Sequence, residues 1–278
     1  MIHVDLDGAS TIFAVHGLAY PAETDPLFET GLRNCLDFLA DAGLKATFFV
    51  IAGDLRYPAK RALIQEAVRA GHEIASHSLS HPKLTTLPEE ARRREVFESR
   101  AVLAETLGTE VTGFRAPMFD VDRPLFELLG EAGYRYDSSL FPRADVARRI
   151  GVPRLERQPH HPIPGGSLLE LPLPAYAPLP FPFHPSYSLM LGTWYYRLGM
   201  ARFTRYGAPL VLLFHLTDFA DPLPPGYVSS SKIKYFTLSH LPGATKIKRC
   251  RQMVSHTQRY YQVIPTQQYI AQYALPSN

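Results

Sequence analysis

Cysteine is scarce in this 278-residue chain, which has two, Cys35 and Cys250. Cys35 falls in an apolar helical pattern and Cys250 in a basic stretch, so they read as a buried thiol and a surface thiol. Their spacing matches no metal site, and a disulfide framework is excluded. Long apolar runs are also missing, because proline and charge interrupt every apolar segment short of the roughly 20 residues a membrane span requires. The N-terminus lacks a basic region leading into an apolar run and a small-residue cleavage site. Ile2-His3-Val4 already reads as a strand, and the expectation is a cytoplasmic protein. Charge of one sign is absent as well: 29 Lys and Arg against 26 Asp and Glu leave a formal +3, too little to argue for nucleic-acid binding. With 46% hydrophobic and 20% charged residues the chain can bury one large core, so disorder is not expected.

What is present is a repeated unit, in which a helical pattern ends on glycine and an apolar run of four to six residues follows. Pro26 to Ala42 carries Leu32, Leu36 and Leu39 on one face and stops at Gly43 before Ala46-Thr47-Phe48-Phe49-Val50. Pro58 opens a helix with Leu63, Ile64, Ala67 and Val68 inward, and Gly71 closes it before Glu73-Ile74-Ala75-Ser76. Thr86 with Glu89 predicts a capping box for a third helix that runs to Gly108, ahead of Val111 to Phe114. Asp122 caps a fourth, with Leu125, Leu128, Leu129 and Ala132 as its stripe, before Tyr134-Arg135-Tyr136. Pro142 to Pro185 reads as long proline-rich loops around one strand, Leu168 to Leu171. Leu210 to Phe214 suits burial on both faces. Ala244 to Tyr261 predicts a closing helix, with a last strand over Ile264 to Ile270. The expected architecture is a single irregular α/β barrel over residues 1–278.

The chemistry-bearing residues fall at the C-terminal ends of the strands, where such a barrel places its active site. Asp5 and Asp7 flank Leu6, and a period of two sends both carboxylates to one face. His77 and His81 stand four apart after the third strand, a spacing that brings two imidazoles to one side of a turn. With Asp7 they make a mixed ligand set suited to zinc or another divalent first-row metal, leaving positions for water and a substrate oxygen. Arg115 follows the fourth strand, where a guanidinium beside Asp5 would keep that carboxylate ionised as a base. Pro117 stiffens the turn so that the Met118 N–H can meet a developing oxyanion. His215 ends the most apolar strand, placed to protonate a leaving amine.

Val4-Asp5-Leu6-Asp7, His77-Ser78-Leu79-Ser80-His81, Arg115-Ala116-Pro117 and Leu213-Phe214-His215 together resemble the motifs of the polysaccharide deacetylases of carbohydrate esterase family 4, the NodB-homology enzymes. The resemblance covers roughly residues 1–220, leaving 221–278 as a basic loop, closing helix and strand. It implies a distorted (β/α) barrel that hydrolyses an N-acyl amide, acetyl or formyl, on an amino sugar. Asp5 is then the base, Asp7, His77 and His81 the metal ligands, Arg115 the tether of the base and His215 the general acid. The implied metal is zinc, with cobalt, nickel, iron or manganese as alternatives. Within the family the chain is similar to exopolysaccharide-associated deacetylases and, more remotely, to the lipid-linked formamido-arabinose deformylase. The family's Asp and Trp motif that supports the histidine has no counterpart here, and Glu170 or Asp218 stands in for it.

The resemblance implies a small or carrier-linked substrate, an N-acylated amino sugar on a lipid phosphate or a nucleotide. Met118, Phe119, Trp194 and Tyr195 are its candidate contacts, and no nucleic-acid partner is expected. Residues 229–251 interleave Lys232, Lys234, Lys246, Lys248, Arg249 and Arg251 with Ile233, Tyr235, Phe236, Leu238 and Ile247. That mixture suits a peripheral contact with an anionic membrane, or else forms a solvated basic loop. The rival functions are hydrolysis of a non-sugar amide or cyclic imide by an allantoinase-like barrel, and a catalytically silent carbohydrate-binding barrel.

Overall fold

The computed structural model describes residues 1–21, 23–152, 154–175, 183–228 and 230–273. In its first half, strands β1 (Ile2–Asp5), β2 (Thr47–Val50), β3 (Glu73–Ser76), β4 (Gly113–Phe114) and β5 (Tyr136–Asp137) alternate with helices. These are α1 (Ala9–Val15), α2 (Pro26–Ala42), α3 (Pro58–Arg69), α4 (Glu89–Leu107) and α5 (Arg123–Glu131). The second half adds α6 (Ala144–Ile150), β6 (Leu169–Glu170), α7 (Pro185–Leu191), α8 (Thr193–Phe203) and β7 (Leu212–His215). Helices α9 (Ser231–Phe236), α10 (Gly243–Thr257) and α11 (Thr266–Tyr273) close the chain. All seven strands are parallel, in the order β6-β5-β4-β3-β2-β1-β7, and curl into a distorted half-barrel. Among the described residues no helix is long and apolar enough to cross a membrane.

The glycine stops act as the sequence implies. Gly43 and Gly108 end α2 and α4 in the left-handed region, at φ 64° and 62°, where a Cβ would be strained. Asp122 caps α5 by accepting from Leu125 N. The strands sort their side chains by the period of two. Ile2, Val4, Phe48, Leu212 and Phe214 pack outward under the helices, whereas Met1, Phe49, Val211 and Leu213 form a second cluster inside the curl. On β1 the inward positions are therefore His3, Asp5 and, one step past the strand, Asp7. Parallel register sets Asp5 opposite His215 of β7, and Arg115 N bonds Ser76 O, so these strand ends form one rim.

Several expectations are corrected. The Thr86–Glu89 capping box does not form, because Pro88 occupies the N-cap of α4 and Thr86 Oγ1 turns back to Lys83 O at 2.8 Å. The proline-rich stretch contains α6, stopped by Gly151 at φ 81°. Ile264 to Ile270 is not a strand: Thr266, Tyr269, Ile270 and Tyr273 keep helical spacing in α11, which puts Tyr269 and Ile270 against the inner cluster. Cys250 is buried, not a surface thiol. Residues 229–251 divide between buried and exposed positions, with residue 229 outside the described residues. Ile233, Leu238 and Lys246 are buried, and Lys246 Nζ donates to Thr217 O at 2.8 Å. Arg249 donates to Leu189 O, and Arg251 pairs with Asp41 at the surface. Lys232, Lys234, Tyr235, Phe236 and Lys248 remain exposed.

Candidate active site and metal centre

Arg115 is fully buried, and its guanidinium organises the rim. Nη1 donates to Asp5 Oδ1 at 2.6 Å, Nε to Ser138 O at 2.7 Å, and Nη2 to Ser138 Oγ at 2.9 Å. Nη2 also donates to His3 Nδ1 at 2.8 Å, and the guanidinium carbon lies 4.0 Å from the Phe49 ring centroid. With Nδ1 accepting, His3 carries its hydrogen on Nε2, toward Thr266 Oγ1 of α11 at 2.9 Å. Burial first, and then Arg115, push the His3 pKa well below the ordinary imidazole value, so His3 stays neutral. Burial alone would raise the Asp5 pKa, but Arg115, His77 and His215 outweigh it and hold the carboxyl below its usual range.

Asp7, on the same face, meets the two histidines instead of Arg115. Its Oδ1 lies 3.3 Å from His81 Nε2 and 3.6 Å from His77 Nε2. One ligand atom from each of the three residues falls within 4.8 Å of the others. His77 Nδ1 lies 2.8 Å from Arg115 O, which requires its hydrogen there and leaves the Nε2 lone pair facing Asp7. Burial lowers the pKa of both histidines, that of His81 to about 4, so both are neutral donors near pH 7. Burial raises the Asp7 pKa, with His77 opposing it. Asp7 Oδ1 and His81 Nε2 are buried and have no hydrogen-bond partner in the structure. An orphaned buried polar atom costs about 1–3 kcal/mol, and two of them aimed at one point suit a cation between them. The residues thus fit a divalent metal.

The loop that carries the histidines is strained and braced. Ser78 and His81 adopt positive φ, 66° and 63°, as do Met118 and Phe119 across the cavity, at 55° and 56°. Non-glycine residues hold such angles only where the surroundings over-determine them, commonly at functional sites. The brace is Glu95 of α4, whose Oε2 accepts from Leu79 N and Ser80 N at 2.9 Å each while Oε1 takes the Ser80 hydroxyl. Glu95→Ala is expected to weaken metal binding about 10-fold to 100-fold, the usual effect of losing an outer support. Competition with a chromogenic chelator reads this, and unchanged affinity would remove Glu95 from the site's support.

Asp5, Asp7, His77, His81 and His215 line a cavity of about 500 Å³. Its walls are largely apolar, with Ile12, Val15, Met118, Phe119, Met190 and Phe236 among them, and Lys232 also lines it. Of the candidate substrate contacts, Met118 and Phe119 line this cavity, whereas Trp194 is 61% exposed on α8 outside it and Tyr195 is 3% exposed and packed in the fold.

The family model for polysaccharide deacetylase matches residues 23–136. Chitin deacetylase 1 of Cryptococcus neoformans var. grubii is 32% identical over 122 residues, which are 43% of this chain and 24% of that protein. A solved structure from Mycobacterium smegmatis, named as a polysaccharide deacetylase, has a TM-score of 0.66 at 22% identity and covers 100% of this chain and 93% of that one. Residues 23–136 are similar to the polysaccharide deacetylases, and the chain as a whole shares the distorted barrel of the NodB-homology type. Its matches span between 15% and 47% of the length of the first five curated relatives. A Puue allantoinase structure overlays almost as well, with a TM-score of 0.65 at 15% identity, covering 100% of this chain and 91% of that one. The barrel alone therefore does not choose the amide.

Within this deacetylase-type barrel, the surroundings of His215 differ from the sequence expectation. Glu170 is remote from it, buried against Asp137, with Oε1 accepting from Leu140 N at 3.0 Å. Asp218 Oδ2 accepts the His215 backbone N–H at 2.9 Å, and Ser186 Oγ lies between that oxygen and the His215 ring. His215 Nε2 points back to Asp5 Oδ2 at 3.8 Å. His184, buried with its ring centroid 5.7 Å from that of His215, also lines the cavity. Sequence reading missed Ser186 and His184, which fall at the end of and just after the proline-rich stretch with no spacing signal of their own.

Proposed function

We propose that this chain hydrolyses the N-acetyl amide of an amino sugar with one divalent metal ion, zinc by preference, held by Asp7, His77 and His81. The observation that carries the reading is the pair of orphaned atoms, Asp7 Oδ1 and His81 Nε2, next to a carboxylate that Arg115 keeps ionised. Bound there, the ion supplies Lewis-acid polarisation of the amide oxygen. Asp5 takes the proton of the attacking water through Oδ2, the oxygen turned toward His215. The Met118 backbone N–H is the proposed oxyanion contact, at the left-handed turn. His215 gives a proton to the amine nitrogen as its bond to the acyl carbon breaks. The relative named a chitin deacetylase supports acetyl rather than formyl as the acyl group.

The carrier of the sugar is proposed to be a lipid phosphate rather than a nucleotide. Apolar walls at Ile12, Val15, Met190 and Phe236 support a chain beside the site, and Lys232 supports an anionic link. Exposed Tyr235 and Phe236 beside Lys232 and Lys234 support contact with an anionic membrane, each basic residue adding about 1 kcal/mol near such a surface.

Acetate release from the methyl and octyl glycosides of N-acetylglucosamine tests both proposals. Release is expected from both and is lost on chelation. The octyl glycoside is expected to have a KM at least about tenfold lower, since burying two methylenes at about 0.8 kcal/mol each already suffices. Equal KM values remove the lipid carrier. Formate release from the N-formyl glycosides alone changes the acyl group, and no release of either acid overturns the hydrolase reading.

A further inference from the structure

We infer that Ser186 is the positioning residue of the general acid, a hydroxyl bridge between the His215 ring and the buried carboxylate of Asp218. The inference goes beyond the proposed reaction and rests on His215 being its acid. Ser186 Oγ lies 2.9 Å from Asp218 Oδ2 and 3.1 Å from His215 Nδ1. A carboxylate can only accept, so the serine hydrogen goes to Asp218 and the serine lone pairs face His215. In the protonated ring that acts as the acid, Nδ1 carries a hydrogen, which it donates to Ser186. This fixes the tautomer and leaves Nε2, 3.8 Å from Asp5 Oδ2, as the nitrogen that gains and gives the proton.

The same Asp218 oxygen accepts the His215 backbone N–H at 2.9 Å, so ring and main chain of the histidine are referenced to one atom. Asp218 is fully buried, and its neighbourhood is held by Lys246, whose Nζ donates to Thr217 O at 2.8 Å. The bridge thus sits on a rigid base. Ser186 comes from the first turn of α7, whose Tyr187 and Met190 also line the cavity. One helix therefore supplies both part of the substrate wall and the hydroxyl that orients the acid.

A leaving group that needs no proton separates this role from a structural one. Acetate release is measured from octyl N-acetylglucosaminide and from p-nitrophenyl acetate, whose phenolate departs as an anion, with the Asp5→Asn rate subtracted as background. General-acid catalysis contributes roughly 10²–10⁴-fold, so losing the acid's orientation in Ser186→Ala is expected to lower amide kcat about 10-fold to 100-fold. Ester turnover is expected to stay within about twofold. Ser186→Thr, which keeps the hydroxyl, should recover most of the amide rate. Equal loss on both substrates, or no loss on either, overturns the inference. Should the wild type hydrolyse neither substrate, the hydrolase reading fails, and imidazole 15N shifts of His215 decide the bridge on their own. A hydrogen on Nδ1 in the wild type that moves to Nε2 in Ser186→Ala supports it, and the same tautomer in both contradicts it.

Discussion

Asp5→Asn is expected to lower amide hydrolysis by roughly 10²–10⁴-fold, the range that general-base catalysis contributes, while the protein keeps its metal. The substitution preserves shape and removes the charge that receives the water's proton. The ligand cluster lies across Asp7, whose Oδ1 faces His77 and His81, whereas Asp5 Oδ1 is occupied by Arg115. The variant also strips Arg115 of its buried counter-charge. Breaking such a pair costs about 3–5 kcal/mol, and a fall in Tm should accompany the kinetic loss. The sign with pH follows from the lowered Asp5 pKa. Its ion pair stabilises the fold above the unfolded value of about 4 and is lost as pH falls through the lower folded value. Wild type should therefore lose more stability than Asp5→Asn on acidification below about pH 4. Loss of metal from Asp5→Asn, with retention in Asp7→Asn, would reverse the two roles.

Asp7→Ala, His77→Ala and His81→Ala are each expected to lose metal and turnover together. Outer supports of metal ligands cost about 10-fold to 100-fold in affinity, so a direct ligand should exceed that. The metal-free proteins carry a second signature. Asp7 Oδ1 has no partner and burial raises the Asp7 pKa, so removing this side chain should leave the metal-free fold at least as stable as wild type. A carboxylate kept for structure would show the opposite. Metal content by atomic emission and Tm in chelator read both, and near-normal metal in all three variants sinks the ligand assignment.

The parts legible in the sequence were those written in local signals. Period-two alternation on β1 put Asp5 and Asp7 on one face, and Gly43 and Gly108 marked helix ends at the residue where the chain turns left-handed. Four-residue spacing brought His77 and His81 together because the intervening loop bends at Ser78. Arg115 was legible because Pro117 and the strand before it fix where it emerges. The missed parts depend on partners distant in sequence. Ser186 meets His215 and Asp218 across 29 and 32 residues, and Glu95 meets Ser80 across 15. No local pattern encodes those contacts.

Aromatic composition did not distinguish Trp194 from Tyr195, one of which faces solvent while the other packs in the fold. The basic segment was legible only in part. Charge in a sequence does not reveal whether a lysine reaches solvent or, like Lys246, a buried carbonyl. Ile264 to Ile270 read as a strand because a short apolar run fits either period. Contact with the barrel interior, which the sequence does not display, selects the helix.

Acetate release from octyl N-acetylglucosaminide, measured on one preparation stripped by chelator and then reloaded with one equivalent of zinc, tests the central claim most directly. Stripping should abolish release and reloading should restore it in wild type, whereas Asp7→Ala should stay silent after reloading. Undiminished release by the stripped protein, or recovery by Asp7→Ala, would contradict a metal centre built on Asp7, His77 and His81.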